Sequence, residues 1–298
     1  MIEQSFAFGD HDGLVGTICF PPIEMAPLAK VGVVLFNAGV IHRIGPHRLN
    51  VRLARRLAAN GIPSIRFDLA GQGDSARSRG NRGFEEQAVS DLREAMDFLE
   101  SVAKVSRFAL FGFCSGGVHS YTTAAIDARV AGLLLYDTYI YPTLWSRINR
   151  YIIKFSSGQL GAKTARWMGR KWAGWVASLR AKFLASRTNA GYPQVGPFST
   201  PSKAEFAETL VRLGRNGLKV GMIYSSGYEQ YNYRNQFADG FKNFGVSDFV
   251  MCEYLPEMDH NGTLMEQQLK LMQIIVGWGI KLNESEGAAD KGSLPLAE

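Results

Sequence analysis

Short apolar runs rich in Val, Ile, Leu and Phe alternate along this chain with longer segments whose apolar residues recur at helical spacing. This alternation constrains the fold most. Strands read as near-continuous apolar runs when helices cover a mostly parallel sheet on both faces. Strands are expected at 14–20, 31–37, 64–68, 108–113, 130–136, 220–225 and 249–255, the first making a hairpin with the segment around Phe6 and Phe8. Helices are expected at 46–60, 115–127, 202–216 and 231–244. A further helix carries Phe84, Ala88, Leu92, Met96, Leu99 and Val102, and a closing helix uses Met265, Leu269, Met272 and Val276 as its buried stripe. Roughly eight strands then form one doubly wound α/β sheet.

The pattern breaks once. From Thr138 to Ala204 there is no Asp or Glu, while eleven Lys or Arg residues and four of the five tryptophans (Trp145, Trp167, Trp172, Trp175) occur there. The whole chain carries only +6, so the remainder is net acidic. A shift this sharp marks a separate layer. Residues 138–200 are expected to form a basic, Trp-rich helical cap on a core made of 1–137 and 201–282, with 283–298 a disordered polar tail. No run approaches the ~20 apolar residues of a membrane span, and the polar start lacks the features of a secretory signal, which predicts a cytoplasmic protein. Cys19, Cys114 and Cys252 are too few for a disulfide framework and lack metal-site spacing. Reduced thiols are expected, with no metal and no cofactor.

Gly112-Phe113-Cys114-Ser115-Gly116-Gly117 falls where a strand ends and a helix opens, the context of a nucleophile elbow, G-x-Nu-x-G. The turn is strained at the nucleophile, and small residues two before and two after keep neighbouring side chains clear. With Cys114 in that place both flanks are Gly; with Ser115 there, the preceding flank is the bulky Phe113. The register therefore selects a thiol. A helix N-terminus favours an anion and should lower the thiol pKa from about 8.5. The alternative is a buried small hydrophobe in a strand-to-helix turn.

Upstream, Phe67-Asp68-Leu69-Ala70-Gly71-Gln72-Gly73-Asp74-Ser75 follows a short strand. With the elbow, it resembles the D-x-x-G-x-G-x-S stretch of the α/β-hydrolase superfamily, over nearly the whole chain. More narrowly, the segment from Asn37 to Arg48 looks like the equivalent loop of the exosortase-A-system-associated hydrolases. The doubled-Gly cysteine elbow is similar to that of polyhydroxyalkanoate synthases, which are acyltransferases. The resemblance implies an α/β-hydrolase fold, mostly parallel and eight-stranded, with a helical cap. It also implies an oxyanion hole made by the amide of Ser115 and one from Gly39 or Val40.

The superfamily order of nucleophile, acid and histidine puts the base far downstream of Cys114. His119, one turn into the helix after the elbow, is expected to be structural. His260, between the last strand and the closing helix, is the expected base. Glu229, after the seventh strand, stands where relatives commonly carry the acid; Asp137, at the end of the sixth strand, is the alternative. His42 and Trp145 are expected to contact substrate.

A cysteine nucleophile forms a thioester that keeps the acyl group activated. The expected activity is therefore acyl transfer from a thioester donor, carrier-protein- or CoA-bound, with hydrolysis of a small ester or lactone as the alternative and a non-catalytic binding protein as a third reading. The basic cap suits an acidic acyl carrier protein or a CoA thioester. Contact of a basic amphipathic helix with anionic lipid is a weaker alternative, and no nucleic-acid partner is expected.

Overall fold

Apolar and β-branched residues build eight strands: β1 (Ile2–Phe8), β2 (Leu14–Phe20), β3 (Val31–Phe36), β4 (Ser64–Asp68), β5 (Arg107–Phe113), β6 (Val130–Tyr136), β7 (Lys219–Ser225) and β8 (Val250–Leu255). The computed structural model describes residues 1–26, 29–156 and 200–292. The strands form one sheet in the order β1-β2-β4-β3-β5-β6-β7-β8. β1 and β2 form an antiparallel hairpin, β2 runs antiparallel to β4, and every pairing from β4 to β8 is parallel.

The central strands are buried on both faces, which is why they carry no polar alternation. On β3, Val34 and Phe36 enter one core with Leu92, Met96 and Phe108, while Val33 and Leu35 enter the other with Leu53, Leu57 and Leu271. Helices α2 (Phe84–Ala103), α3 (Gly116–Ile126) and α5 (Lys203–Arg215) contribute to the first core; α1 (Leu49–Ala59) and α7 (Met265–Gly292) contribute to the second. α4 (Leu144–Ser156) follows β6, and α6 (Gln236–Phe241) precedes β8. α5 opens with a capping box in which Ser202 accepts from the amide of Glu205 and the Glu205 carboxylate accepts from the amide of Ser202.

Three expectations change. The helix expected over 231–244 is the short α6, because Tyr231 and Asn232 serve the loop instead: Tyr231 stacks on Tyr224 at 3.9 Å, and Asn232 bonds to Asn149 and Ser146. The buried stripe of α7 is rotated: Gln268, Leu271, Met272, Ile275 and Val276 face inward, while Met265 and Leu269 are exposed. Gln268 is satisfied there by donating to the carbonyl of Gly262 and accepting from Arg52, so a polar residue occupies a core position. Finally, the segment expected to be a disordered tail continues α7 to Gly292. Asn283 accepts from the amides of Lys30 and Val31 at the start of β3, and Glu286 pairs with Arg107 at 3.0 Å, which anchors the helix end on the sheet.

Of the expected cap, residues 157–199 lie outside the described residues, as do residues 293–298 of the tail. Among the described residues, no helix is long and apolar enough to cross a membrane.

Candidate active site

Cys114 stands at the turn between β5 and α3 with φ 53°, a left-handed conformation that costs a non-glycine residue energy. Its amide donates to the carbonyl of Tyr136, locking the turn to β6. The neighbouring glycines explain why the turn closes. A Cβ on Gly112 would lie 2.8 Å from Ser120 Oγ and 2.9 Å from the Gly117 amide, and one on Gly116 would lie 2.8 Å from the carbonyl of Asn37. These are the positions two before and two after Cys114. Ser115, by contrast, precedes α3 in ordinary right-handed geometry and makes no side-chain capping bond.

The imidazole of His260 reaches the site from the loop after β8. Its Nδ1 lies 2.8 Å from Asp137 Oδ2. The Asp137 side chain is fully buried at the end of β6 and accepts two further bonds, from the amide of Ser225 (2.7 Å) and from the Ser225 hydroxyl (2.5 Å). With Nδ1–H donated to this carboxylate, Nε2 is left for the reaction centre. Of the two carboxylates weighed from sequence, Asp137 is therefore the one brought to His260. Glu229 is exposed and pairs with Lys154 of α4 at 2.7 Å. The reason is placement: the carboxylate on the sheet end can be buried and triply bonded, whereas the residue four beyond β7 has already turned to the surface.

Burial raises the Cys114 thiol pKa, but hydrogen bonding to His260 and Tyr228, the His260 charge and the Ser115 amide together bring it below the ordinary thiol value. For His260, burial acts downward and is outweighed by Asp137 and Cys114, which push its pKa up to about 9. Opposite shifts of this kind favour a thiolate–imidazolium pair. Cys19 and Cys252 go the other way, each pushed up to about 11, chiefly by burial. His119 is buried on α3 and desolvation lowers its pKa to about 4, in keeping with a structural residue.

No spacing rule in the sequence identifies Tyr228. Gly227 allows the loop after β7 to press against the His260 segment, since a Cβ there would lie 2.7 Å from His260 Cβ. The Tyr228 ring then meets the imidazole edge to face at 4.7 Å. Its hydroxyl lies 3.7 Å from Cys114 Sγ and 3.5 Å from His260 Nε2.

In the loop after β3, Gly39 adopts φ 56° and its amide donates to Ser115 Oγ at 2.7 Å. Of the two loop amides weighed from sequence, that of Gly39 adjoins the elbow, while the Val40 side chain is 93% exposed. The loop is held from beneath. Asn37 donates to the carbonyl of Ile41 and to Asp68 Oδ1, both at 2.8 Å, and accepts from the amide of Leu69. Asp68 also accepts from the amide of Arg43 and from its guanidinium. The D-x-x-G-x-G-x-S stretch thus braces the loop carrying Gly39.

His42 is held in this brace, 3.2 Å from Asp68 and 3.3 Å from Asp74. Ligand-type atoms of His42, Asp68 and Asp74 lie within 4.8 Å of one another, but the Arg43 guanidinium donates to both carboxylates and supplies the positive charge a cation would bring. Trp145, on α4, is 52% exposed, and most of the expected cap lies outside the described residues.

The family model Hydrolase_4, described as serine aminopeptidase, S33, matches residues 31–188, more than half of the chain. No curated protein matches the sequence. Among solved structures, the chain is similar to a thermophilic esterase from Thermogutta terrifontis, with 15% identity, a TM-score of 0.53, and coverage of 95% of this chain and 100% of that one. It is also similar to the α/β hydrolase GrgF from Penicillium sp. sh18, with 13% identity, a TM-score of 0.54, and coverage of 97% and 100%. A proline iminopeptidase from Mycobacterium smegmatis is 16% identical, with a TM-score of 0.51 and coverage of 97% and 100%. At these identities the likeness is one of fold, and the fold is that of the α/β-hydrolases.

Proposed function

The chain belongs to the Hydrolase_4 family of α/β-hydrolases, and on that premise we propose that it hydrolyses a small carboxylic ester or lactone through an acyl-enzyme on Cys114. The observation that carries this reading is the strained Cys114 at the head of α3 beside a His260 imidazole bonded to the buried Asp137. The hydrolase description of the family supports water as the acceptor.

In this mechanism the thiol proton passes to His260 Nε2, and the Cys114 thiolate adds to the ester carbonyl. Asp137 holds the imidazole orientation and stabilises its cation without taking the proton. The developing oxyanion is met by the amides of Ser115 and Gly39, the latter exchanging its bond to Ser115 Oγ for one to the substrate oxygen. Collapse breaks the bond to the leaving alkoxide, which receives the proton from His260. Water then gives a proton to Nε2 and adds to the thioester, and the second collapse releases the carboxylic acid, with the proton returning to the sulfur.

A second reading is transfer of an acyl group from a thioester donor to an alcohol, amine or thiol. The thiol nucleophile favours it, because exchange between thioesters is nearly isoenergetic. Incubation with p-nitrophenyl acetate tests both. Hydrolysis predicts an acetyl adduct confined to Cys114 and multiple turnovers in buffer alone; transfer predicts that the adduct persists until an acceptor is added. Multiple turnover that survives Cys114→Ala, with no adduct, would overturn both.

A further inference from the structure

The proposed hydrolysis uses Cys114, His260 and Asp137, yet a third polar side chain touches the sulfur. The Tyr228 hydroxyl lies 3.7 Å from Cys114 Sγ and 3.5 Å from His260 Nε2, within reach of both partners of the ion pair. Catalytic contacts are often this long in a ligand-free site and tighten when charge develops. We propose that Tyr228 is a further catalytic residue, whose hydroxyl donates to the Cys114 thiolate and accepts from His260 Nε2–H, so that it bridges the ion pair. This inference rests on the reading of Cys114 as nucleophile.

Several observations converge on that role. The phenol is held beside His260 by two features: Gly227 permits the close approach of its loop to the His260 segment, and the ring packs edge to face on the imidazole. Donation requires that the phenol keep its proton, and burial together with the adjacent Cys114 charge pushes its pKa well above the ordinary value of 10. The proton removed from Cys114 therefore resides on Nε2, and the phenol proton stays on oxygen. Among the described residues, the other polar groups facing the sulfur are His260, with Asp137 behind it, and the Ser115 amide. Both the imidazole and the amide remain when the phenol is removed, so the contribution of Tyr228 can be isolated.

A bridging donor has a kinetic signature that a packing ring lacks. It raises the thiolate fraction and lowers the reactivity of each thiolate, because nucleophilicity falls with basicity. The rate of reaction with dithiodipyridine, followed against pH with the labelled thiol identified by mass spectrometry, reads both effects. Cys19 and Cys252 are poor competitors because burial holds their thiols protonated to about 11. In Tyr228→Phe the midpoint for Cys114 is expected to rise by about one pH unit, and the plateau rate above it to rise about threefold. A difluorinated tyrosine at 228, a stronger donor of nearly the same shape, should move the midpoint downward.

A depressed midpoint in the unaltered protein that neither variant shifts would overturn the role of Tyr228 and leave the hydrolase reading standing. A midpoint near the ordinary thiol value of about 8.5 in the unaltered protein would instead overturn the nucleophile reading, and the bridge with it. The difluorinated variant keeps the proposal exposed even if Tyr228→Phe fails to fold.

Discussion

Asp137 directly follows β6 and Glu229 lies four residues beyond the neighbouring β7, and only Asp137 is buried and bonded to His260. Asp137→Asn is therefore expected to lower kcat for p-nitrophenyl acetate by about 10³- to 10⁴-fold, through loss of the imidazole tautomer and orientation. Glu229→Gln breaks an exposed pair with Lys154 and should change kcat less than about twofold. Measured side by side, comparable losses in the two variants would contradict this assignment. The elbow gives a second comparison. Cys114→Ala should remove at least about a thousandfold of the activity, whereas Ser115→Ala keeps the backbone amide that faces the sulfur and should cost less than about tenfold. Ser115 nevertheless has a contact that its position next to Cys114 does not reveal, since its hydroxyl accepts from the amide of Gly39. The bond disappears in Ser115→Ala, and any change in KM without change in kcat would report on how that loop is preset.

At the scale of elements, the site depends on how closely α3 approaches β5. Gly112 makes this contact: a methyl group there would press on Ser120 Oγ and on the Gly117 backbone, neither of which can be relieved by turning a long side chain. Gly112→Ala is expected to destabilise the fold by about 1–3 kcal/mol in denaturant unfolding and to reduce activity by displacing the elbow. Unchanged stability would mean that α3 is free to shift. The loop between β3 and α1 is braced in a similar way from β4, through Asn37, Asp68 and Arg43. Both devices align parts drawn from different strands, so the thiol and the amides proposed as oxyanion donors are held in one arrangement. The end of α7 does the same for an interior strand, where Asn283 accepts from the amides of Lys30 and Val31 at the start of β3.

Across the whole molecule, the site couples to stability through proton binding. His260 has its pKa raised from an ordinary 6.5 to about 9, so the folded state holds a proton that the unfolded state releases between those values. Stability from this group is fully present below about pH 6.5 and is lost as pH rises through about 9. In a Cys114→Ala background, where the coupled thiol no longer titrates and Asp137 still pairs with the imidazole, the difference in unfolding free energy between that protein and its His260→Gln variant should therefore shrink as pH rises above about 6.5, as measured by denaturant titration at several pH values. A difference that grew with pH would reverse the sign of the coupling. The order of strands and helices, the thiol at the elbow and the histidine after the last strand were all legible in the sequence, because buried strands, helical periods and a Gly-flanked turn are local and leave local patterns. Which carboxylate serves His260, which amide adjoins Ser115, and the presence of Tyr228 beside the sulfur were decided only by the tertiary structure. Each depends on side chains from separate strand ends meeting in space, with burial and hydrogen-bond geometry selecting among chemically similar candidates that spacing along the chain cannot rank.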